Sequence, residues 1–371
     1  VSTATVSRVV HGHDRVSPAT RERVQAVIEQ LSYVPDSSAQ SLSRRRKEII
    51  GLVTLERHSQ QYDVESMSLL FYDEVLHGVE SCLRDAGWSL LISCFAADDE
   101  HGYRRLQSLS GKVDGLLIGE GIVPSHLLAR LAERVPIVVV AGHPSEQAVD
   151  VVTSDNRAGT AALVAHLVRE HGRTRFFAVD GPPSAPDARE RRAALDEVLA
   201  AAGRARLVGS HAGAFSVQSG EEAGRRLLAE HAGELPDAVV CANDQMAIGV
   251  LRALHHFGVE VPEKVSVVGF DDIYPGSLQH PPLTTVHQPM RQLGEQACAR
   301  LLARLARPGL APAVHVLATD LVLRASCGCP PGTNSRQPAA GVAQQPGRPR
   351  RRAVQPGRQR QAATVGGGAK G

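Results

Sequence analysis

The first residues that invite chemistry are Arg44, Arg45, Arg46 and Lys47, four consecutive positive charges. Taken alone, such a run is more often a solvated linker than a nucleic-acid contact. Its position argues for a phosphate backbone as its partner, attracted whatever the base sequence. Just before it, Pro35 biases Val34 away from the helical region. Asp36 or Ser37 then caps a short helix reaching Leu42, with Gln40 completing a capping box behind Ser37. About two turns of helix are marginal in water, so this one forms only when something packs against it, as a switch would. Other reactive side chains point to less. Cys82, Cys94, Cys241, Cys298, Cys327 and Cys329 are too scattered for a disulfide framework. Cys327 and Cys329 are a possible metal pair with no second pair near in sequence, and read as ordinary thiols. His166, His255 and His256 fall in helical stretches without obvious partners and read as surface or core. No metal and no cofactor is therefore expected. The chain has no G-x-G-x-x-G, P-loop, G-x-S-x-G or H-E-x-x-H pattern, so an enzyme is not expected either.

The elements that position these residues follow from capping and periodicity. Ser2 caps a first helix to Val10 whose apolar face is Val6, Val9 and Val10; Thr3, Ala4, Ser7 and Arg8 lie largely opposite. Ser17 caps a second helix with Pro18 at its first position and Val24, Val27, Ile28 and Leu31 on one face. From Ile49 onward, apolar runs at 49–54, 90–95, 115–118, 137–141, 175–179, 238–242 and 265–270 alternate with helical stretches at 71–86, 99–110, 125–134, 157–170, 188–202, 217–231, 245–257 and 290–306. That alternation predicts an α/β protein with parallel sheets, too many units for one small sheet, and hence two Rossmann-like lobes. Ligands in such folds sit beyond the carboxyl ends of the strands, here a cleft between lobes. Some polar residues there have capping roles: Asp244 is expected to cap the helix near 245, Asp155 and Asn156 the helix near 157, and Asp272 can satisfy backbone amides in a turn.

Composition bounds the rest. A hydrophobic fraction of 43% with 22% charged residues is that of a globular protein, and 4% aromatics means cores built from Val, Leu, Ile and Ala. The sequence has no membrane-length apolar run and no leader-like start, which predicts a cytoplasmic protein. The net charge of +2 is unevenly spread, because residues 331–371 carry seven arginines, one lysine and no acid. From 330 to 371 the Pro, Gly, Gln, Arg and Ala composition predicts a disordered basic tail.

Three segments taken together resemble the lactose-repressor/galactose-repressor family of bacterial transcription regulators. They are Val1 to Val10; Val16 to Val24 running into Tyr33-Val-Pro-Asp36; and Cys241 to Ala247 with Val267 to Asp272 and Pro281 to Gln288. The likeness spans roughly residues 1–329 and leaves out the tail and a longer loop between Leu55 and Leu70. It implies a periplasmic-binding-protein-like core preceded by a helix-turn-helix and a hinge helix that folds on operator DNA. In that scheme residues 1–32 are a partial DNA-binding domain and 33–48 the hinge and basic linker. Residues 49–170 with 291–317 form the first lobe, and 171–290 with 318–329 the second. By position, Thr3 and Ala4 resemble the base-reading residues, with Ser7 and Arg8 beside them; Arg8 offers a bidentate fork to guanine. Leu42 resembles the leucine wedged into the minor groove, with Arg44 and Arg45 on phosphates. Arg191 resembles the arginine that holds the effector, Phe215 the aromatic flanking it, and Asn243, Asp271 and Gln288 its polar contacts. Phe71 and Tyr72 resemble the aromatic pair on the other lobe. The Gly-aromatic pair usual after that arginine is Ala194-Leu195 here, so Arg189 stands as the alternative.

The resemblance implies a repressor controlled by a small effector, most commonly a sugar, with operator DNA and a second or further copies of the chain as partners. The family's first helix is not in the sequence, which opens on the recognition helix. A chain beginning there is expected to lose operator affinity and act as a sugar-binding protein only; a start upstream restores the ordinary role and is the reading preferred.

Overall fold

The structure, a computed structural model, describes residues 1–10, 15–31, 46–55, 69–95, 102–119, 121–143 and 149–339. Helix α1 is Thr3–Val10 and α2 is Pro18–Gln30. The hydroxyls of Ser2 and Ser17 accept from the amides of Thr5 and Thr20, as their capping chemistry predicts. Val9 and Val24 are buried, whereas Val27 and Leu31 of the expected apolar face are exposed. Two short helices have surface enough to cover little more than one residue each. The hinge segment, with Leu42, Arg44 and Arg45, lies outside the described residues. Its end is anchored: the Asp114 carboxylate accepts from the amides of Lys47 and Glu48 at 2.9 and 2.6 Å, and Arg46 donates to the Leu305 carbonyl at 3.0 Å. Arg46 and Lys47 thus serve partly to fasten the linker to the core.

The core is built from two parallel sheets. The first has the order β11-β5-β4-β3-β1-β2, with β1 Ile49–Leu55, β2 Ser89–Phe95, β3 Gly115–Gly119, β4 Ile137–Val140, β5 Asp150–Ser154 and β11 Val314–Leu317. Helices α3 (Leu69–Ala86) and α11 (Met290–Ala306) cover one face, and α4 (Gly102–Ser110) with α5 (Ser125–Ala132) the other. Strand side chains alternate between the two layers. Leu117, Val138 and Val140 pack toward α3 and α11, while Leu116, Ile118, Ile137 and Val139 pack toward α4 and α5. Both faces of β3 and β4 being buried, these central strands read as continuous apolar runs. The second sheet has the order β7-β6-β8-β9: β6 Arg175–Asp180, β7 Arg206–Ala212, β8 Ala238–Cys241 and β9 Ser266–Val268. Around it lie α6 (Asn156–Glu170), α7 (Pro186–Ala202), α8 (Val217–Glu230) and α9 (Asp244–His256), followed by the short α10 (Tyr274–Ser277).

All eight helical stretches expected beyond Ile49 are present. Two boundaries differ from the sequence expectation. Helix α6 was assigned to the first lobe with residues up to 170, yet Leu163, Val164 and Leu167 are buried with Phe176, Leu195 and Leu199 in the second. Its apolar pattern specifies burial but not against which sheet. The expected tail from 330 also begins with ordered chain. Strand β13 (Ser335–Pro338) pairs antiparallel with β12 (Asp320–Leu323), which pairs with β10 (Thr285–His287). A mostly exposed strand held by backbone hydrogen bonds needs no apolar periodicity, so composition alone missed it.

Three passages of chain join the lobes, and they are bonded to one another. The Asp155 amide donates to the Leu317 carbonyl at 2.8 Å, the Thr319 hydroxyl to the Asp155 carbonyl at 3.2 Å, and the Ser154 hydroxyl to Oε1 of Gln288 at 3.1 Å. Beside them α3 and α11 cross with their backbones in direct contact at two glycines. A Cβ on Gly78 would stand 2.0 Å from the Arg291 carbonyl oxygen, and one on Gly294 2.1 Å from that of Val75. Replacing Gly294 by Ala is therefore expected to overpack the crossing. The loss, read from chemical denaturation, should be about 1–3 kcal/mol, whereas Gly233→Ala, which meets nothing, should leave the midpoint nearly unchanged.

Candidate ligand-binding site

Beyond the carboxyl ends of the second sheet lies a cavity of about 240 Å³. Each strand there ends in a residue or loop that turns polar groups inward: Asp180 leads to the loop at 181–185 and α7, Cys241 to Asn243, and Val268 to Asp271. The first lobe supplies Phe71 and Tyr72 from the start of α3, Gly121 after β3 and Ala141 after β4. Phe71, Tyr72, Arg191, Phe215, Asn243, Asp271 and Gln288, scattered over more than two hundred residues of sequence, all line this one space.

Arg191 is the centre of the site. It is only 5% exposed, and its Nε donates to Asn156 Oδ1 at 2.8 Å while Nη1 donates to the Ala242 carbonyl at 2.7 Å. Its guanidinium lies 3.7 Å from the ring centroid of Phe270, a cation–π stack. Asp271 Oδ1 is 3.7 Å from Nη1 and Asp187 Oδ2 is 3.8 Å from Nη2. These pairs exceed hydrogen-bond length, so a ligand hydroxyl can bond to either partner without competing with a short bridge. Arg189, the alternative arginine, is exposed and donates to the Pro183 carbonyl at 2.8 Å.

Asp271 faces the cavity under strain and out of water. Its φ is +124°, and Phe215 beside it and Ala141 across the cavity have φ of +56° and +58°. Left-handed backbone at non-glycine residues costs free energy and concentrates at functional sites. Burial pushes the Asp271 carboxyl up to about 7, although Arg191 and the amide of Gln288 pull it down. Gln288 Nε2 donates to Asp271 Oδ1 at 2.5 Å while its Oε1 accepts from Ser154, so one side chain joins the cavity to the passages between lobes. Phe215 reaches the cavity because Gly181 has no side chain; a Cβ there would come within 2.5 Å of the ring.

The capping roles differ from expectation in one exchange. Asn243, not Asp244, is the N-cap of α9, accepting from the Met246 amide at 3.0 Å, and its Nδ2 lies 3.4 Å from the Phe215 carbonyl. Asp244 instead is fully buried, accepts from the Ile273 amide at 3.0 Å and from the Thr285 hydroxyl, and burial holds its carboxyl well above the usual range. The helix starts one residue earlier than its apolar pattern implies, which moves the cap. Asp155 does cap α6, accepting from the Ala158 amide at 2.9 Å. Asp272, expected in a turn, binds His287 at 3.1 Å and Arg324 at 2.6 Å, and these partners hold its carboxyl below the usual range despite burial.

Sequence reasoning missed Asp187, Gln245 and the role of Asn156. Asp187 precedes Arg191 by one helical turn, a spacing visible in the sequence. Gln245 lines the cavity with a buried Oε1 that has no hydrogen-bond partner among the described residues. A buried acceptor left so is costly unless a ligand donor reaches it. At the amino-terminal end, Thr3, Ala4, Ser7 and Arg8 are all exposed on α1, opposite buried Val9.

Comparison with known proteins agrees with this layout. Residues 1–36 match the model of bacterial regulatory proteins of the lacI family, and residues 164–327 match a periplasmic binding protein-like domain. The ribose operon repressor of Escherichia coli K12 is 33% identical over 314 residues, covering 84% of this chain and 91% of the repressor. The regulator CelR of Thermobifida fusca is 34% identical over 336 residues, covering 88% and 95%. The crystal structure of the Lac repressor dimer bound to operator and an anti-inducer superposes with a TM-score of 0.78 at 29% identity, covering 88% of this chain and 96% of that one. The likeness runs from the amino-terminal helices through both parallel-sheet lobes and covers nearly the whole length of those regulators, and the chain belongs to the lacI family of bacterial regulatory proteins.

Proposed function

We propose that this chain is a transcriptional repressor whose hold on operator DNA is set by a small polyhydroxylated ligand in the cavity between its lobes. The observation that carries the proposal is the set of side chains around Arg191. A buried guanidinium, two carboxylates, an unpartnered amide oxygen and an aromatic ring are the groups needed to receive vicinal hydroxyls and cover an apolar sugar face. A volume of about 240 Å³ favours a small molecule, being below the ~300–1,000 Å³ of drug-sized sites. Two of the relatives act, by their names and titles, on ribose and cellobiose systems, which fits a sugar or sugar derivative.

On the DNA side, Arg8 and Thr3 carry the donors for base edges, while Ala4 offers a methyl for a thymine contact. Leu42 would wedge the minor groove, and Arg44 and Arg45 would neutralise phosphates. One recognition helix reads one half-site, so a homodimer on a two-fold symmetric operator is the natural assembly. Among the described residues no helix is long and apolar enough to cross a membrane. That is compatible with a cytoplasmic, nucleoid-associated, non-catalytic role. The ligand acts by favouring one arrangement of the lobes over another, and it can shift operator affinity only by as much as it prefers one of them.

The reading is tested by calorimetric titration of the protein with a panel of pentoses, hexoses and disaccharides. One of them should bind, and Arg191→Gln, checked for native circular dichroism, should weaken it by roughly 10- to 100-fold, the worth of a charged hydrogen bond. If no sugar binds the native protein, the ligand class is wrong. Acidity provides an independent check. Ligand hydroxyls donate to the carboxylate form of Asp271, whose protonation in the free protein extends up to about 7. Binding should therefore tighten as pH rises through that value and release protons below it. Asp271→Asn should flatten the dependence.

A further inference from the structure

Far from the cavity, at the opposite ends of the second sheet's strands, four side chains from two distant parts of the sequence converge. His166 lies in the last turn but one of α6, and His171 is the residue that ends that helix. Cys327 closes a short 3₁₀ turn (Ala325–Cys327) after β12, and Cys329 follows with only Gly328 between them. Spacing along the chain offers no reason to join them, because the two pairs are brought together only by packing.

We propose that His166, His171, Cys327 and Cys329 form a structural zinc site. One donor atom from each lies within 4.8 Å of all the others. The His166 and His171 Nε2 atoms are 3.0 Å apart, Cys329 Sγ is 3.5 Å from the first and 3.6 Å from the second, and Cys327 Sγ is 3.7 Å from His166 Nε2. Tetrahedral zinc with its usual bonds of ~2.0–2.1 Å to nitrogen and ~2.3 Å to sulfur spaces its ligand atoms about 3.3–3.8 Å apart. The Sγ of Cys327 lies within 4.8 Å of the His171 donor nitrogen and the Cys329 sulfur, so parting the two rings by a few tenths of an ångström and drawing His171 and the half-buried Cys329 toward the buried Cys327 by up to about 1 Å would reach that geometry. Two thiolates and two neutral imidazoles balance the dication, and a tetrahedral S₂N₂ set selects zinc over harder cations. Since the protein supplies four ligands and leaves no open position, the site is of the structural kind.

The local backbone is suited to this role. The Cys-Gly-Cys turn depends on Gly328, whose φ is +112° and whose Cβ, were it present, would stand 3.0 Å from Nδ1 of His171. Glycine thus lets both thiols approach the same point beside that ring. Cys327 is wholly buried, its carbonyl accepts from the hydroxyl of Ser266 at 2.8 Å, and the Thr284 hydroxyl lies 3.2 Å from its sulfur. These contacts fix the thiol before any ion arrives. A bound ion would tie the chain beyond β12 to the end of α6, the helix whose other end holds Asn156 against Arg191. Metal loading would thereby stiffen the lobe without entering the cavity.

The test is metal analysis of the full chain, purified reduced and without chelator, then reloaded with Zn²⁺ or Co²⁺. One equivalent of zinc should remain after exhaustive dialysis, and the cobalt form should show the thiolate charge-transfer and intense tetrahedral d–d bands of an S₂N₂ site. Cys329→Ser and His171→Gln, at partly exposed positions, should each lose stoichiometric metal, while Cys94→Ser, at an exposed thiol elsewhere, should retain it. If either site variant fails to fold, the cobalt spectrum of the native chain decides. Absence of metal from the folded, reduced and reloaded protein, a cobalt spectrum without thiolate bands, or full retention of zinc by Cys329→Ser would overturn the proposal.

Discussion

A single buried cation organises the candidate site. A guanidinium withdrawn from water is tolerated only when hydrogen bonds and opposite charges replace its hydration. Arg191 has these from Asn156, the Ala242 carbonyl, the Phe270 ring, Asp271 and Asp187. The partners come from the start of α6, the end of β8, the turn after β9 and the first turn of α7. Satisfying this charge therefore fixes the relative placement of four elements. It also explains the unusual state of Asp271, a carboxylate held beside a cation yet short of a direct bridge, on strained backbone. Such a group is poised to gain from a ligand that donates to it.

The same site is wired to the passages between the lobes. Gln288 bonds Asp271 on one side and Ser154 on the other, and lies on one passage while Ser154 ends the strand that leads into another. The remaining passage, after β11, is bonded to Asp155. A ligand that alters the hydrogen bonding of Asp271 thus acts next to the point about which the lobes are joined. The close crossing of α3 and α11 at Gly78 and Gly294 leaves little room at that point to absorb such a change by repacking. The three bonded passages between the lobes are where such a change is felt first.

Much of this was legible from residue order. The buried parallel strands betrayed themselves as apolar runs of Val, Ile and Leu, and the helices through capping and spacing; the exception is β5, whose Asp150, Thr153 and Ser154 interrupt the apolar run although the strand is buried. The edge strand β7 and the short strands after residue 280 did not, since their partners are remote and half their side chains face water. Arg191, Phe215 and Asp271 were located through a resemblance in motif, in spite of Ala194-Leu195 standing where a Gly-aromatic pair is usual; helical phase, which aims Arg191 inward and Arg189 outward, then separated the two arginines. Gln245 escaped, and Asn156 was read first as a cap, because an amide at a helix start looks alike in sequence whether it ends the helix, holds a buried arginine or lines a cavity. The His166, His171, Cys327 and Cys329 cluster escaped for a related reason: local spacing cannot reveal ligands that packing alone assembles.

The measurement that bears most directly on the account is fluorescence anisotropy of a labelled operator duplex, bound by the protein as made in its own cells and titrated with the sugar that fills the cavity. The account predicts that the native protein's operator affinity shifts as the cavity saturates, and that Arg191→Gln still binds the operator but no longer responds at the same sugar concentrations. A native protein whose operator affinity stays constant while calorimetry shows the cavity filled would contradict it.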